Sequence, residues 1–341
     1  METAKKKSQG NSLKKSLPGI LVSVLIVVIL LRFVDFKEVI GSFRNVSLKL
    51  LAAIFLLQTV AFIFRGLAWR VILDGRPTVM QSYWTVTEGY LLNLLPLRLG
   101  EVGRAVIMGG LIQRSPFYVF STVILERLVD VVITLIMLVL TVPLVSGAGF
   151  SGGTYTILFV LVLAGLAAIF LVVRNQEKFL ALLGKVIRPD SKAGKFILPK
   201  VASILSGMQI LNQPRKFLVW MFWILLAWLC WWLTMIVSMR VFFPQLPLWA
   251  SFFTQSITAL GGAIPSAPAG LGVIEGAFVV ALSFLGVGQS EALAFGILNH
   301  SMGIITPVFW GIIGFLVQGQ KFSEVFSGLQ NAELSEEKDT E

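Results

Sequence analysis

Apolar residues run in long blocks along this chain. LPGILVSVLIVVILL at 17–31 and LLAAIFLLQTVAFIF at 50–64 approach the ~20 residues that carry a helix across a bilayer, whereas apolar runs in soluble α/β domains last about 4 to 8. Blocks of this kind predict helical spans over 17–31, 48–64, 120–146, 154–173, 217–240 and 292–317. Two further apolar regions, 81–115 and 250–288, are interrupted. The first contains LLNLLPLRLGEVGRAVIMGG, in which Pro96, Arg98, Gly100, Glu101, Gly103 and Arg104 break a helical run; the second contains IPSAPAGLGVIEGAFVV, with Pro265 and Pro268. Lipid offers the backbone no hydrogen-bond partners, so such breaks are tolerated only where protein or a water-filled cavity covers them.

Composition narrows the class. Hydrophobic residues make up 56% of the 341 positions and charged residues 13%, which defines a polytopic membrane protein. The single cysteine, Cys230, excludes an intrachain disulfide framework and a thiolate metal site. The basic N-terminus followed by an apolar run has the outline of a secretory signal, but no small-residue cleavage site follows it. Residues 17–31 therefore read as an uncleaved first span.

The charges orient the chain, because basic residues are retained on the cytoplasmic side. Residues 1–16 hold five Lys or Arg, and 174–216 hold nine, against Glu177 and Asp190; Arg65, Arg70 and Arg76, then Arg98, Arg104 and Arg114, form two smaller groups. GAGFSGG at 147–153 and VFFPQLPLWA at 241–250 hold none. The connector at 32–47, with three positives against Asp35 and Glu38, is the weakest guide to topology. With these sides assigned, 81–115 must enter and leave from the cytoplasm, and 250–288 from outside. Both are expected to be re-entrant hairpins.

PLRLGEVGRAV set beside PAGLGVIEGAF aligns Pro96 with Pro268, Leu99 and Gly100 with Leu271 and Gly272, and Ala105 with Ala277, an offset of 172 residues; the flanking spans pair at about the same offset. The predicted fold is thus an all-α polytopic integral membrane protein with about six full spans and two re-entrant helical hairpins in an inverted-topology repeat. Its parts are a basic cytoplasmic N-terminus (1–16), repeat 1 (17–146), repeat 2 (154–317) and an acidic, disordered cytoplasmic tail (318–341). In the basic loop at 174–216, Val201, Ile204, Leu205 and Met208 share one helical face, so an interfacial helix on the anionic leaflet is expected there rather than a nucleic-acid arm.

In transporters built from inverted repeats, a pair of Gly/Pro-interrupted segments points to the binding site. Broken helices leave N–H groups unpaired at the positive end of a dipole, which suits an anionic group. The candidate head-group residues are Arg98, Arg104, Gly100, Gly272 and Asn93, the arginines offering bidentate geometry to phosphate. Ordinary anchoring at a membrane edge is the other reading of those arginines. Glu101 and Glu275, together with Glu126, Arg127 and Asp130 of STVILERLVDVVITL and His300 of FGILNHSMGIITPVFWG, form a candidate proton or ion-pair network; structural salt bridges and, for His300, a packing role are the alternatives.

NLLPLRLGEVGRA, ERLVD and GGAIPSAPAGLGVIEGA, in that order, resemble the flippase-like membrane family of the lysylphosphatidylglycerol synthase transmembrane region, over about 17–320. The resemblance implies a multi-pass protein that moves lipids or lipid-linked head groups between leaflets. The soluble aminoacyl-transfer domain of bifunctional members is not expected, because the chain ends at Glu341 after a short acidic tail. Three functions stay open: a lipid flippase, a secondary transporter of a small anionic solute or ion, and a membrane enzyme or accessory protein acting on a lipid-linked substrate. No HExxH, Walker loop, GxSxG or acidic metal cluster occurs, so no catalytic residues and no cofactor or metal are expected. The expected partners are anionic membrane lipids, with a second copy of the chain or a lipid-synthesis enzyme as candidates, and no nucleic acid.

Overall fold

A computed structural model describes residues 46–95, 99–145, 174–187, 191–264 and 267–319, with a few isolated positions between 37 and 172. The expected spans at 17–31 and 154–173, the N-terminus, all of the tail but its first two residues, and Pro96, Arg98 and Pro265 lie wholly or mainly outside the described residues.

The described residues form ten α-helices and no strand. Four are long: α1 (Leu48–Ile72), α4 (Pro116–Thr141), α7 (Pro214–Phe242) and α10 (Gln289–Gln318). Of these, α1, α7 and α10 are long and apolar enough to cross a membrane. Each interrupted region folds as two shorter helices. These are α2 (Val79–Leu92) with α3 (Gly100–Ile112), and α8 (Leu248–Ala263) with α9 (Val273–Ser283). At ~1.5 Å per residue none of the four reaches across a ~30 Å hydrocarbon core. Between α4 and α7 lie α5 (Gln176–Val186) and α6 (Lys192–Gly207).

Local chemistry sets the boundaries. Ser47 caps α1, and Thr78 caps α2 in a reciprocal box with Gln81. Helix α4 opens on Ser115 and Pro116. Helix α3 has no cap from its own preceding residue, Leu99; instead Asn93, at the end of α2, accepts the Gly100 N–H through Oδ1 at 2.9 Å. A Cβ at Gly100 would overlap the Gly89 carbonyl oxygen and Asn93 Oδ1, so only glycine allows α3 to start this close to α2. In the second hairpin, Pro268–Gly270 form a 3₁₀ turn before α9, with Ala269, Gly270 and Gly272 all at positive φ.

The long helices clasp the short ones. Helix α1 packs along α7; α2 lies against α10 and α8 against α4, while α3 packs on α4 and α9 on α10. Each hairpin touches both long helices of its own half and one from the other. At the α2–α10 crossing a Cβ on Gly311 would stand 2.7 Å from Leu91 Cβ and 2.9 Å from the Thr87 carbonyl oxygen, which requires a small residue there.

The apolar face of α6 meets protein. Leu205 and Met208 are buried in the main core, Val201 and Ile204 pack against it, and Gly207 fits against Tyr118 and Ser121 of α4. The expected leaflet-facing surface is used here for packing. Helix α5 keeps exposed apolar residues, Leu182 and Val186.

Candidate functional site

The two helix breaks meet. The Ala269 N–H, in the turn before α9, donates to the Leu94 carbonyl oxygen, just past α2, at 3.1 Å. Beside this junction is a cavity of about 420 Å³ whose wall includes Asn93, Leu95 and Glu101 from the first hairpin and Gln255, Thr258, Gly262 and Gly270 from the second. Long helices complete it with Gln58, Arg127 and His300. The wall mixes these polar groups with apolar side chains such as Phe62, Trp231 and Ile304.

Behind the cavity lies a network of five charges. Arg65 of α1 donates through Nε to Glu126 Oε1 at 2.9 Å and grips both oxygens of Asp130, one at 2.7 Å. Arg104 of α3 donates to the two Glu126 oxygens at 2.9 and 3.3 Å, with its guanidinium 4.2 Å from the Trp69 ring. Trp228 Nε1 donates to Asp130 at 3.0 Å. Arg127 is the outermost member: it reaches Glu126 at 3.3 Å, Asp130 at 3.4 Å and the Tyr90 hydroxyl at 3.4 Å.

Three guanidiniums face two carboxylates, so the network carries one surplus positive charge. Side-chain exposure locates it: Arg65 0%, Glu126 1%, Arg104 2%, Asp130 15% and Arg127 37%. Charge sealed in a low-dielectric interior must be paired to be tolerated. The inner four groups are paired with one another, and the surplus emerges at Arg127 on the cavity wall. Arg127 Nε has no protein partner.

The second hairpin has its own cluster. Glu275 Oε2 accepts the Gly272 N–H at 2.7 Å, and its Oε1 lies 2.7 Å from His300 Nδ1; His300 Nε2 lies 2.9 Å from the Ala269 carbonyl oxygen. In the first hairpin, Asn93 Nδ2 donates to Glu101 Oε1 at 3.1 Å.

The candidate residues thus sort by position. Asn93, Glu101, Arg127 and His300 line the cavity, Gly100 adjoins Asn93, and Glu275, Gly272 and Pro268 belong to the bend beside it. Arg104, Glu126 and Asp130 form the network behind; Arg104 holds a carboxylate of the protein itself. Arg65, taken from sequence as a cytoplasmic loop charge, instead lies inside α1, which continues to Ile72, and is fully buried. Its spacing gave the signal: Phe62, Arg65 and Trp69 recur at i, i+3 and i+7, one face of a helix. Sequence reasoning also missed Glu88, fully buried on α2, whose two oxygens accept from Gln318 Nε2 at 2.9 and 3.0 Å.

Broken helices, a cavity at their junction and a buried charge network, set among long apolar helices, describe a helical membrane protein. Residues 17–311 match the family described as lysylphosphatidylglycerol synthase TM region, and the chain belongs to that family. It is also similar to a UPF0104 membrane protein of Methanocaldococcus jannaschii, 23% identical over 324 residues, covering 89% of this chain and 95% of the relative. No solved structure matches.

Proposed function

We propose that this protein is a flippase-like transporter that carries an anionic phospholipid or lipid-linked head group between leaflets. The head group passes through the chamber between the hairpins while the acyl chains stay in lipid. The observation that carries this reading is Arg127: the surplus positive charge of a sealed network, on the wall of a cavity formed by both helix breaks. A phosphate there gains charge-assisted hydrogen bonds. In this reading the hairpins are re-entrant and enter from opposite faces, the halves form an inverted repeat, and both termini lie on the cytoplasmic side of the cell membrane. The matching element order, long helix, hairpin, long helix, on either side of α5 and α6 supports the repeat.

A cavity of about 420 Å³ also suits a free anionic solute, and the test includes that arm. Purified protein in liposomes is assayed for leaflet exchange of fluorescent anionic phospholipids and, separately, for uptake of radiolabelled inorganic phosphate. The expected result is faster lipid exchange than in protein-free vesicles, reduced at least tenfold by Arg127→Gln. Phosphate uptake without lipid exchange would replace the lipid reading with the solute one, and neither activity would overturn both.

A further inference from the structure

We propose that the Glu275–His300 pair is a proton-binding site that couples proton movement to the junction of the two hairpins. The inference rests on the transport reading for its role, but not for the site itself.

The geometry fixes the proton count. The Ala269 carbonyl oxygen only accepts, so His300 Nε2, 2.9 Å away, must carry a hydrogen. The 2.7 Å between His300 Nδ1 and Glu275 Oε1 must also hold one, since two lone pairs do not meet at that distance. The pair is therefore loaded with one titratable proton and is neutral overall, as imidazolium with carboxylate or as imidazole with carboxylic acid. Losing that proton leaves one ring hydrogen for two acceptors. The carboxylate, the stronger of them, keeps it at Nδ1; Nε2 is left with a lone pair facing the Ala269 carbonyl oxygen, and the hold on Ala269 is lost.

What that hold controls is local. His300 pins the carbonyl of Ala269, whose own N–H makes the bond to Leu94. Glu275 pins the Gly272 N–H at the start of α9. Ala269 sits at positive φ, which costs a residue with a Cβ, whereas Gly270 and Gly272 adopt it freely, so the strain of the bend is at Ala269, the residue these contacts hold. Loaded, the pair fastens the second hairpin's bend where it meets the first; unloaded, it releases the bend beside the cavity.

The pair is largely buried, at 7% and 13% exposure, and His300 reaches the cavity, which gives the proton a path. The titratable or charged groups facing it across the cavity are Glu101, Arg127 and Tyr90. The cavity-facing polar residues of α1, α7 and α8 (Gln58, Thr234, Gln255 and Thr258) do not titrate. Of the remaining acids near α10, Glu291 is in its first turn, and Glu88 abuts Gly314, about 21 Å along the helix from His300.

His300 is the chain's only histidine, so ¹⁵N-histidine labelling reports on one ring. Full-length protein in lipid nanodiscs is titrated between about pH 5 and pH 9, where an imidazole changes charge. Nε2 is expected to pass from protonated to unprotonated as pH rises, while Nδ1 keeps its hydrogen toward Glu275. Glu275→Gln supplies the control: its amide can donate to Nδ1 and its oxygen can still accept from Gly272, so the bend is held without a titratable proton. In that variant Nδ1 is expected to stay unprotonated through the range. In liposomes, the leaflet-exchange rate of wild-type protein should change at least fivefold when a pH gradient is imposed, and that of Glu275→Gln should not respond. A wild-type ring fixed in one protonation state, or titration unaltered in Glu275→Gln, overturns the proton site. Lipid exchange equally indifferent to the gradient in both proteins overturns the coupling. Absence of any exchange by wild-type protein strikes the transport reading instead and with it the coupling, while the ring titration still decides the site.

Discussion

Glu126→Gln removes one carboxylate from a network in which it is shared by three guanidiniums. Glu126 Oε1 accepts from Arg65, Arg104 and Arg127, Oε2 accepts from Arg104, and the side chain is 1% exposed. The substitution keeps the shape but leaves Asp130 alone against three positive charges, raising the buried surplus from one to two. Breaking a buried pair by neutralising one partner costs roughly 3–5 kcal/mol, and the upper part of that range is expected because two of the arginines are sealed from water. Arg104→Met in the same protein restores the original surplus, so the double variant should recover part of the loss, with a coupling of about 1–3 kcal/mol. Unfolding in mixed detergent micelles, followed by tryptophan emission, measures all three proteins; Trp69 and Trp228, two of the chain's nine tryptophans, bracket the network. A Glu126→Gln cost below about 1 kcal/mol, or strict additivity in the double variant, would refute the claim that Glu126 is the shared counter-charge.

Arg104→Ala should lower stability by about 2–3 kcal/mol because Glu126 Oε2 loses its one partner and Oε1 one of three, whereas Arg127→Gln at the cavity edge should cost about 1 kcal/mol or less while reducing exchange at least tenfold; the same unfolding assay separates the two arginines. Gly100→Ala forces a methyl into the Gly89 carbonyl and the Asn93 side chain, so a loss of about 1–3 kcal/mol is expected, measured the same way. Gly207→Leu has no room against Tyr118 and Ser121, and should detach α6 from α4, seen as faster amide exchange across 192–207 with little change in α7.

The hairpins were legible because proline, glycine and charge interrupted apolar runs, and those interruptions are local. The partnerships were not. Glu275 and His300 are 25 residues apart on different helices, and Arg65 meets Asp130 across 65 residues, distances over which a single sequence carries no pairing signal. Arg65 was misplaced because a charge at the end of an apolar run looks like a loop, although α1 simply continues past it. For α6 the pattern gave the apolar face correctly, but amphipathicity does not name what covers that face, here α4 rather than lipid. Asn93 shows the same limit from the other side: it ends one helix and caps the next, a role set by the approach of Gly89 to Gly100 in space.

The bond from Ala269 to Leu94 joins main chain to main chain. Every amino acid except proline supplies that amide, so the seam does not depend on side-chain chemistry, although position 269, at φ 59°, favours residues that tolerate the left-handed region. Alanine scanning would therefore be blind to this one contact between the two loops. Replacing the single amide at 269 by an ester, which deletes the donor and spares the side chain, is the perturbation to which that seam would answer.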